Sequence, residues 1–354
     1  MSALVRGCLG IGALSVAGLL ALAGAMTLIA GGPESRGFGG LLVLGAMACA
    51  AAAASSLRAG LRQATGAPAA RASEAPTRPR GAGGSLVALA LVIAAGSAAA
   101  LAGPAGLALL VPLHVAAALL PARIVTRHAA ALQGGAPAGL VGRALAWGAL
   151  GATSLAFVGE LILGIALGLV VWIALGTAPG AREAVQDAFL GLWTAVSGAG
   201  GDPGNALATL ELGALLRPSI AMAIVGLLGL AGPLIEELTK LLGVAFLRPR
   251  SRPAAFLAGV ASGAGFGALE GLLAGAAVAG PAWGPGIVAR AAATLMHAFT
   301  CGVAALGWYE LQDGGAARGL RRIGLAVALH ALWNLGVIGA VLAGAAAAEG
   351  IGPD

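Results

Sequence analysis

Charged residues are scarce in this chain of 354 residues. Aspartate, glutamate, lysine and arginine make up 10% of it, whereas hydrophobic residues make up 59% and the mean hydropathy is +0.95. A soluble domain carries about 25% charged residues, so the composition excludes that class. Several apolar runs reach about 18 residues or more, the length of a transmembrane helix. We therefore predict an all-α polytopic protein embedded in a lipid bilayer.

Cysteine and aspartate are scarce as well, and their positions exclude several kinds of site. The three cysteines, Cys8, Cys49 and Cys301, lie in apolar runs and form neither a disulfide framework nor a Cys-x-x-Cys metal site. All four aspartates lie in predicted loops or at the C-terminal end, so no predicted helix holds an aspartate pair. The sequence contains neither His-Glu-x-x-His nor Gly-x-Ser-Gly. The net charge of +6 does not indicate nucleic-acid binding, because the arginines cluster in short loops.

Hydropathy predicts nine spanning helices. They lie at residues 8–30, 38–57, 85–102, 105–121, 146–177, 219–247, 254–280, 287–309 and 323–346. The first run is too long for the core of a signal peptide, and no convincing cleavage site follows it. A short hairpin at Gly103-Pro104 separates the third and fourth helices. One broken helix over residues 85–121 is the alternative.

The loops predict an orientation. Four basic segments fall on one side if nine helices span the membrane and the N-terminus is cytoplasmic. These segments are residues 58–84, the stretch after Pro121, residues 248–252 and residues 318–322. The C-terminus and a mildly acidic loop, in which residues 182–196 have a helical pattern, are then extracytoplasmic.

The same pattern divides the chain into five parts. They are an N-terminal hairpin, a basic disordered linker, a set of middle helices, an extracytoplasmic loop and a final helix bundle. Their predicted ranges are 1–57, 58–84, 85–177, 178–218 and 219–346.

Ionisable side chains are concentrated in the last four predicted helices. A charged side chain in the membrane interior is costly, so such residues usually mark function. These helices contain Glu236, Glu237, Lys240, Glu270, Arg290, His297 and His330. In the other predicted helices only Glu160 and His114 are candidates, and Lys240 is the single lysine of the chain.

The stretch "EELTK" places two carboxylates beside that lysine. Glu236 and Lys240 are four residues apart and share a helix face, and Glu237 lies at the edge of that face. One lysine offsets one carboxylate, which leaves the group with a net negative charge or one shared proton. One carboxylate can then act as a base while the other stays bound. A buried ion pair that only fixes helix packing is the alternative.

The next three helices each add polar groups. Glu270 follows Phe266 by four residues in a helix rich in small residues, which allows close helix packing. His297 lies near the middle of the following helix, and His330 and Asn334 lie one turn apart on the last. Taken singly, each of these residues could be a packing contact.

Several of these residues are predicted to lie at a similar depth in the membrane. At about 1.5 Å per residue from the predicted cytoplasmic ends, Glu236, His297 and Asn334 all lie about 16–18 Å deep. His330 is predicted to be shallower and Glu270 deeper. Because unrelated packing residues would not be expected to share a depth, this coincidence favours one active site.

The residue types indicate a chemistry. A carboxylate beside histidine can activate water as a general base, and histidine and asparagine can stabilise an oxyanion. Together these groups suffice for peptide-bond hydrolysis. A proton-relaying transporter or channel is an alternative, although the sequence has no internal repeat. A non-catalytic scaffold for single-span partners is a third possibility.

The motifs "EELTK", "GFGALEG", the helix from Arg290 to His297, and "HALWN" together resemble the PrsW family of intramembrane proteases. That family belongs to a larger group with the CAAX-processing and bacteriocin-protection proteases. The resemblance covers about residues 219–346, the last four helices. It implies a bacterial plasma-membrane protein whose substrate is a membrane-anchored, single-span protein such as an anti-sigma factor.

The resemblance also implies roles for the residues of these motifs. Glu236 would activate water, and Glu237 would orient the site with Lys240. Glu270 stands where CAAX-type relatives have the histidine of Phe-x-x-x-His, and it would assist the water. The remaining implied site residues are the oxyanion pair His330 and Asn334, a further site histidine His297, and the supporting Phe266 and Arg290.

A zinc site is an alternative use of some of the same residues. Glu270, His297 and His330 could form a zinc site with water in the fourth position. The residue types favour a metal-free glutamate mechanism with no cofactor.

Overall fold

The computed structural model describes residues 82–133, 138–175, 218–274 and 280–348. Within these ranges every regular element is a helix. The predicted helices at 8–30 and 38–57, almost all of the predicted linker, and nearly the whole loop 178–218 lie outside the described residues.

The described helices are numbered in chain order. They are α1 (Ala82–Leu101), α2 (Leu107–Leu132), α3 (Ala138–Ala146), α4 (Thr153–Leu175), α5 (Pro218–Ile224), α6 (Gly232–Leu247), α7 (Arg252–Ala274), α8 (Trp283–Gln312) and α9 (Ala316–Ala348). Two π-helical segments each join two α-helices into one continuous helical rod. Trp147–Ala152 joins α3 to α4, and Val225–Ala231 joins α5 to α6. Short 3-10 turns at Gly103–Ala105 and Gly280–Ala282 precede α2 and α8.

Seven of the described helices and rods are long and apolar enough to cross a membrane. They correspond to the seven predicted helices that fall within the described residues, and they indicate an integral membrane protein. The stretch 85–121 forms two helices, since Gly103 adopts a positive φ of 60° at the turn between α1 and α2. The single broken helix considered for this stretch is therefore excluded.

Several helices extend beyond the predicted bounds. Helix α2 continues through Pro121 to Leu132, so that Arg123 and Arg127 lie in a helix rather than in a loop. Helix α9 begins at Ala316, seven residues before the predicted start at 323. Alanine and arginine are strong helix formers, and they carry the helices past the apolar runs that hydropathy detects.

Helix α7 is central to the described bundle. Within its span from Arg252 to Leu273, an 18-residue apolar window is 78% buried, and the helix packs most extensively against α8. Glycines allow this contact, because a Cβ atom at Gly259 or Gly263 would collide with backbone carbonyl oxygens of α8. The close approach brings the polar residues of α7 next to those of α8.

An ion-pair cluster ties three helices together at one end of the bundle. Glu310, near the end of α8, binds Arg252 of α7 and Arg322 of α9, each at 2.8 Å. The α6–α7 and α8–α9 turns therefore lie at the same end of the bundle.

Candidate active site

Lys240 lies at the centre of a polar cluster formed by α6, α7, α8 and α9. Its ammonium nitrogen is 3.1 Å from Glu236 Oε2, 3.0 Å from Glu237 Oε1 and 2.9 Å from His297 Nδ1. These three acceptors use all three N–H bonds of the ammonium group. The Phe266 ring covers it, with the nitrogen 4.0 Å from the ring centroid, and the side chain of Lys240 has no exposed surface.

Glu237 binds three side chains through one carboxylate oxygen. Its Oε1 accepts hydrogen bonds from Lys240 at 3.0 Å, from Thr300 Oγ1 at 3.0 Å and from His330 Nδ1 at 2.9 Å. Within the described residues the buried Oε2 has no hydrogen-bond partner. Glu237 is thus held in place by three helices and is enclosed, which suits an orienting role rather than that of a base exposed to substrate.

The partners of His297 assign its tautomer. Nδ1 faces the Lys240 ammonium, which only donates, so Nδ1 must accept. Nε2 therefore carries the proton and donates to Glu270 Oε2 at 2.7 Å. Arg290 Nη2 forms an ion pair with the same oxygen at 2.6 Å. Among the described residues, however, the N–H bonds of Nη2 do not point at an acceptor in hydrogen-bond geometry. Both nitrogens of His297 are thus engaged.

Glu236 and His330 face each other across a short gap. Glu236 Oε2 lies 3.8 Å from His330 Nε2, which is too far for a direct hydrogen bond. His330 Nδ1 is bound to Glu237, whereas its buried Nε2 has no hydrogen-bond partner among the described residues. One water molecule bonded to both atoms fits a separation of this size. This is the position in the cluster where a base and an imidazole nitrogen converge.

Exposure decreases from one side of the cluster to the other. The Glu270 side chain is 35% exposed and Glu236 is 12% exposed, whereas Lys240 and His330 are fully buried.

Three carboxylates, Glu236, Glu237 and Glu270, face two fixed cations, Lys240 and Arg290. With neutral histidines the cluster has a formal charge of −1, so one additional proton neutralises it.

The sequence left open a metal ion bound by Glu270, His297 and His330. The structure indicates a different set of potential ligands. Among the described residues, Glu236, His297 and His330 have ligand atoms within 4.8 Å of one another, with Glu236 in place of the predicted Glu270. The residues do not fit a metal ion as they stand. Lys240 already occupies the lone pair of His297 Nδ1 and an oxygen of Glu236, and its positive charge opposes a second cation beside it.

Asn334 lies outside this hydrogen-bond network. Its Nδ2 donates to the carbonyl oxygen of Leu228 at 2.9 Å, in the π-helical segment before α6. In that segment the N–H of Gly232 bonds to Leu227, five residues earlier. By the same pattern Leu228 would bond residue 233, but Pro233 has no N–H. Asn334 supplies the missing donor.

The structure brings together most of the predicted site residues. Glu236, Glu237, Lys240, Phe266, Glu270, Arg290, His297 and His330 are linked by hydrogen bonds, ion pairs or ring contacts. The predicted depths were wrong for the last helix, because His330 is level with Glu236 and Asn334 lies beyond it. Helices α8 and α9 extend further into their connecting turn than predicted, so counting from the predicted ends made His330 too shallow.

Thr300 is a residue that the sequence analysis missed. It lies three residues after His297 on the same face of α8, and its hydroxyl reaches Glu237. A search for polar residues at helical spacing from His297 would have found it. Ser262 of α7, which donates to the carbonyl oxygen of Lys240 at 3.1 Å, was missed in the same way.

Comparison with protein-family models, with curated proteins and with solved structures finds no match for this chain.

Proposed function

We propose that this protein is an intramembrane endopeptidase that hydrolyses a peptide bond of a membrane-anchored protein with water activated by Glu236. The observation that carries the proposal is the pair Glu236 Oε2 and His330 Nε2, 3.8 Å apart, with the histidine nitrogen buried and without a hydrogen-bond partner among the described residues. A water molecule between them donates to both atoms and turns its oxygen lone pair towards a substrate carbonyl. General base catalysis of this kind contributes about 100-fold to 10,000-fold to the rate.

The surrounding residues hold this pair in place. Glu237 binds His330 Nδ1 and so directs Nε2 towards Glu236, as a carboxylate orients a catalytic histidine in other hydrolases. Lys240 fixes Glu236 Oε2 at 3.1 Å and offsets its charge. The hydroxyl group that the water becomes keeps its second proton and can still donate it to His330 Nε2, so this nitrogen helps to hold the tetrahedral intermediate in place.

His297, Glu270 and Arg290 form a second layer behind Lys240. Glu270 accepts from His297 and is paired with Arg290, so it acts on the base through His297 and Lys240. We assign Glu270, Arg290 and His297 positioning roles. No step of this mechanism needs a metal ion or another cofactor.

The family resemblance supports the same proposal. The four motifs that resemble the PrsW family lie on α6, α7, α8 and α9, and their residues form the cluster just described. On this basis we propose a bacterial plasma-membrane protein with nine spans, a cytoplasmic N-terminus and an extracytoplasmic C-terminus. The proposed substrate is a single-span membrane protein, of which an anti-sigma factor is one example.

A proton-coupled transporter is the second candidate. It is favoured by the unbroken series of polar contacts from the partly exposed Glu270 through His297 and Lys240 to the buried His330. Such a series can relay protons. Proton flux into vesicles that contain the purified protein, lost in Glu270→Gln while no cleavage is detected, would favour this candidate.

Cleavage of a panel of proteins tests the protease proposal. Tagged single-span membrane proteins from the source organism are co-expressed with the wild type and with Glu236→Gln, and fragments are detected by immunoblot. We expect at least one protein to be cut by the wild type and to remain intact with Glu236→Gln. Glu310→Gln is the matched control, because Glu310 binds Arg252 and Arg322 outside the site. Equal cleavage by wild type and Glu236→Gln would reject Glu236 as the base.

A further inference from the structure

Glu160 is the single ionisable residue of α4, a helix that is otherwise apolar. Its side chain is partly exposed, and it makes no hydrogen bond or ion pair in the part of the chain that the structure describes. The charged groups that act on it from the helices packed against α4 are Lys240, Glu236 and Glu270. Glu160 therefore belongs electrostatically to the active site although no sequence motif includes it.

Gly232 has no side chain, and Glu160 lies next to it on the side of α6 that carries Glu236. Glu160 Oε1 lies 3.6 Å from the position that a Cβ atom at Gly232 would occupy. Gly232 precedes Glu236 by four residues, so both lie on the same face of α6, one helical turn apart. Helical side chains lean towards the N-terminus of their helix, which directs Glu236 towards Gly232. Glu160 thus lies beside Gly232, one helical turn before Glu236 on the α6 face that carries Glu236.

We propose that Glu160 is the general acid that protonates the leaving amine in the peptide hydrolysis proposed above. The inference rests on that proposed function. Water gives one proton to Glu236, and its oxygen bonds to the carbonyl carbon. As the C–N bond breaks, the electron pair of that bond goes to nitrogen and Glu160 gives its proton to the same nitrogen. Transfer of the proton from Glu236 back to Glu160 restores both groups.

The environment of Glu160 suits this role. A carboxyl group without a partner in an apolar surrounding is more stable with its proton, because the ionised form loses its hydration. The Glu270 carboxylate opposes another negative charge at Glu160 more than the Lys240 ammonium group favours one. The other acidic groups of the cluster are held as acceptors by Lys240, His297 or Arg290. Glu160 is therefore the carboxyl group best placed to carry a transferable proton.

The first test uses Glu160→Gln and a protein that the wild type cleaves in the co-expression panel. Glutamine has nearly the same shape but no proton to donate, so turnover should fall by about 100-fold or more with KM little changed. A synthetic peptide of the same segment with an ester at the scissile bond should be cut by Glu160→Gln almost as well as by the wild type. An alkoxide leaves more readily than an amide anion and does not require the acid. Equal loss on amide and ester would overturn the proposal and indicate a positioning role.

The second test is independent of cleavage. Infrared spectroscopy of the purified wild type should show the C=O stretch of a protonated carboxyl group, and Glu160→Gln should remove it. Glu310→Gln should leave that band unchanged, since Glu310 is ion-paired with two arginines. A spectrum in which Glu160→Gln and the wild type are identical overturns the proposal. If the band is lost in Glu160→Gln but the wild type cleaves no protein, the protease proposal fails and the catalytic role of Glu160 with it, while the protonated state remains.

Discussion

Asn334 of α9 donates a hydrogen bond of 2.9 Å to the carbonyl oxygen of Leu228, a carbonyl that Pro233 leaves without a helical donor. An unsatisfied carbonyl is costly in a membrane, because no water is available to replace the lost bond. The contact also anchors α9, which carries His330, to the segment that precedes Glu236 and Glu237. The contact therefore favours a positioning role for Asn334 over the oxyanion role that the family resemblance implies.

Replacing Asn334 and Pro233 together distinguishes the two roles. Asn334→Ala should lower both stability, by about 1–3 kcal/mol, and turnover. Pro233→Ala restores a backbone N–H, so it should suppress much of the effect of Asn334→Ala if the asparagine is a positioning residue. The measurements are thermal unfolding in detergent and cleavage kinetics of both single variants and the double variant.

An oxyanion donor would behave differently. Asn334→Ala would then lower turnover by about 100-fold to 1,000-fold with little change in stability, and Pro233→Ala would not rescue it. Strictly additive effects of the two substitutions would therefore contradict the positioning role.

Thr300 offers a test of the way in which Glu237 is held. Thr300→Val keeps the shape of the side chain but removes its donor to Glu237 Oε1, a hydrogen bond to a charged group that is worth about 1.5–3 kcal/mol. We expect turnover to fall by about tenfold or more with KM little changed. The matched control is Thr294→Val on the same helix, because the Thr294 hydroxyl donates to the backbone of Arg290. Similar kinetics for the two variants would show that the bond to Glu237 has no role in catalysis.

Much of the site could be predicted from sequence because charge is so rare in this chain. Glu236, Glu237 and Lys240 were identifiable from their spacing, and His297 and His330 from their isolation in apolar helices. Thr300 was not identifiable in this way, since hydroxyl groups are common in membrane helices and most bond to the backbone of their own helix.

The contact made by Asn334 and the position of Glu160 beside Gly232 could not be predicted for a different reason. Both depend on backbone details of the rod formed by α5 and α6. Pro233 signals a disturbed helix, but only the structure identifies the π-helical segment and the carbonyl that Asn334 binds. Likewise, Gly232 is one of many glycines in the sequence, and its position beside Glu160 depends on how α4 packs against α6.

The α6–α7 and α8–α9 turns lie at the same end of the bundle, and this leads to a prediction about membrane topology. Because Arg252 and Arg322 both bind Glu310, reporters inserted after Arg250 and after Gly314 should lie on the same side of the membrane. The excess of arginine near both turns predicts that this side is the cytoplasm. Alkaline phosphatase and green fluorescent protein fusions give opposite readouts and serve as mutual controls. Opposite sides for the two positions would contradict the packing, and a shared outer location would reverse the predicted orientation.

Removal of the Lys240 charge should convert the cluster into a metal site. The ammonium nitrogen lies about 3 Å from atoms of Glu236, Glu237 and His297, a position in which it takes the place of a bound cation. Lys240→Met retains an apolar side chain of similar length but frees the lone pair of His297 Nδ1. With Glu236 and His330 this gives three ligands for zinc within 4.8 Å of one another.

We therefore expect zinc to bind Lys240→Met and not the wild type, as measured by metal analysis after equilibration with zinc and gel filtration. The variant should lose cleavage activity, and zinc should raise its melting temperature, because a ligand that binds only the folded state stabilises it. Lys240→Met combined with His330→Ala is the control, since it lacks one ligand and should bind zinc far more weakly. Zinc bound stoichiometrically by the wild type, together with loss of cleavage on chelation, would replace the glutamate mechanism with that of a metalloprotease.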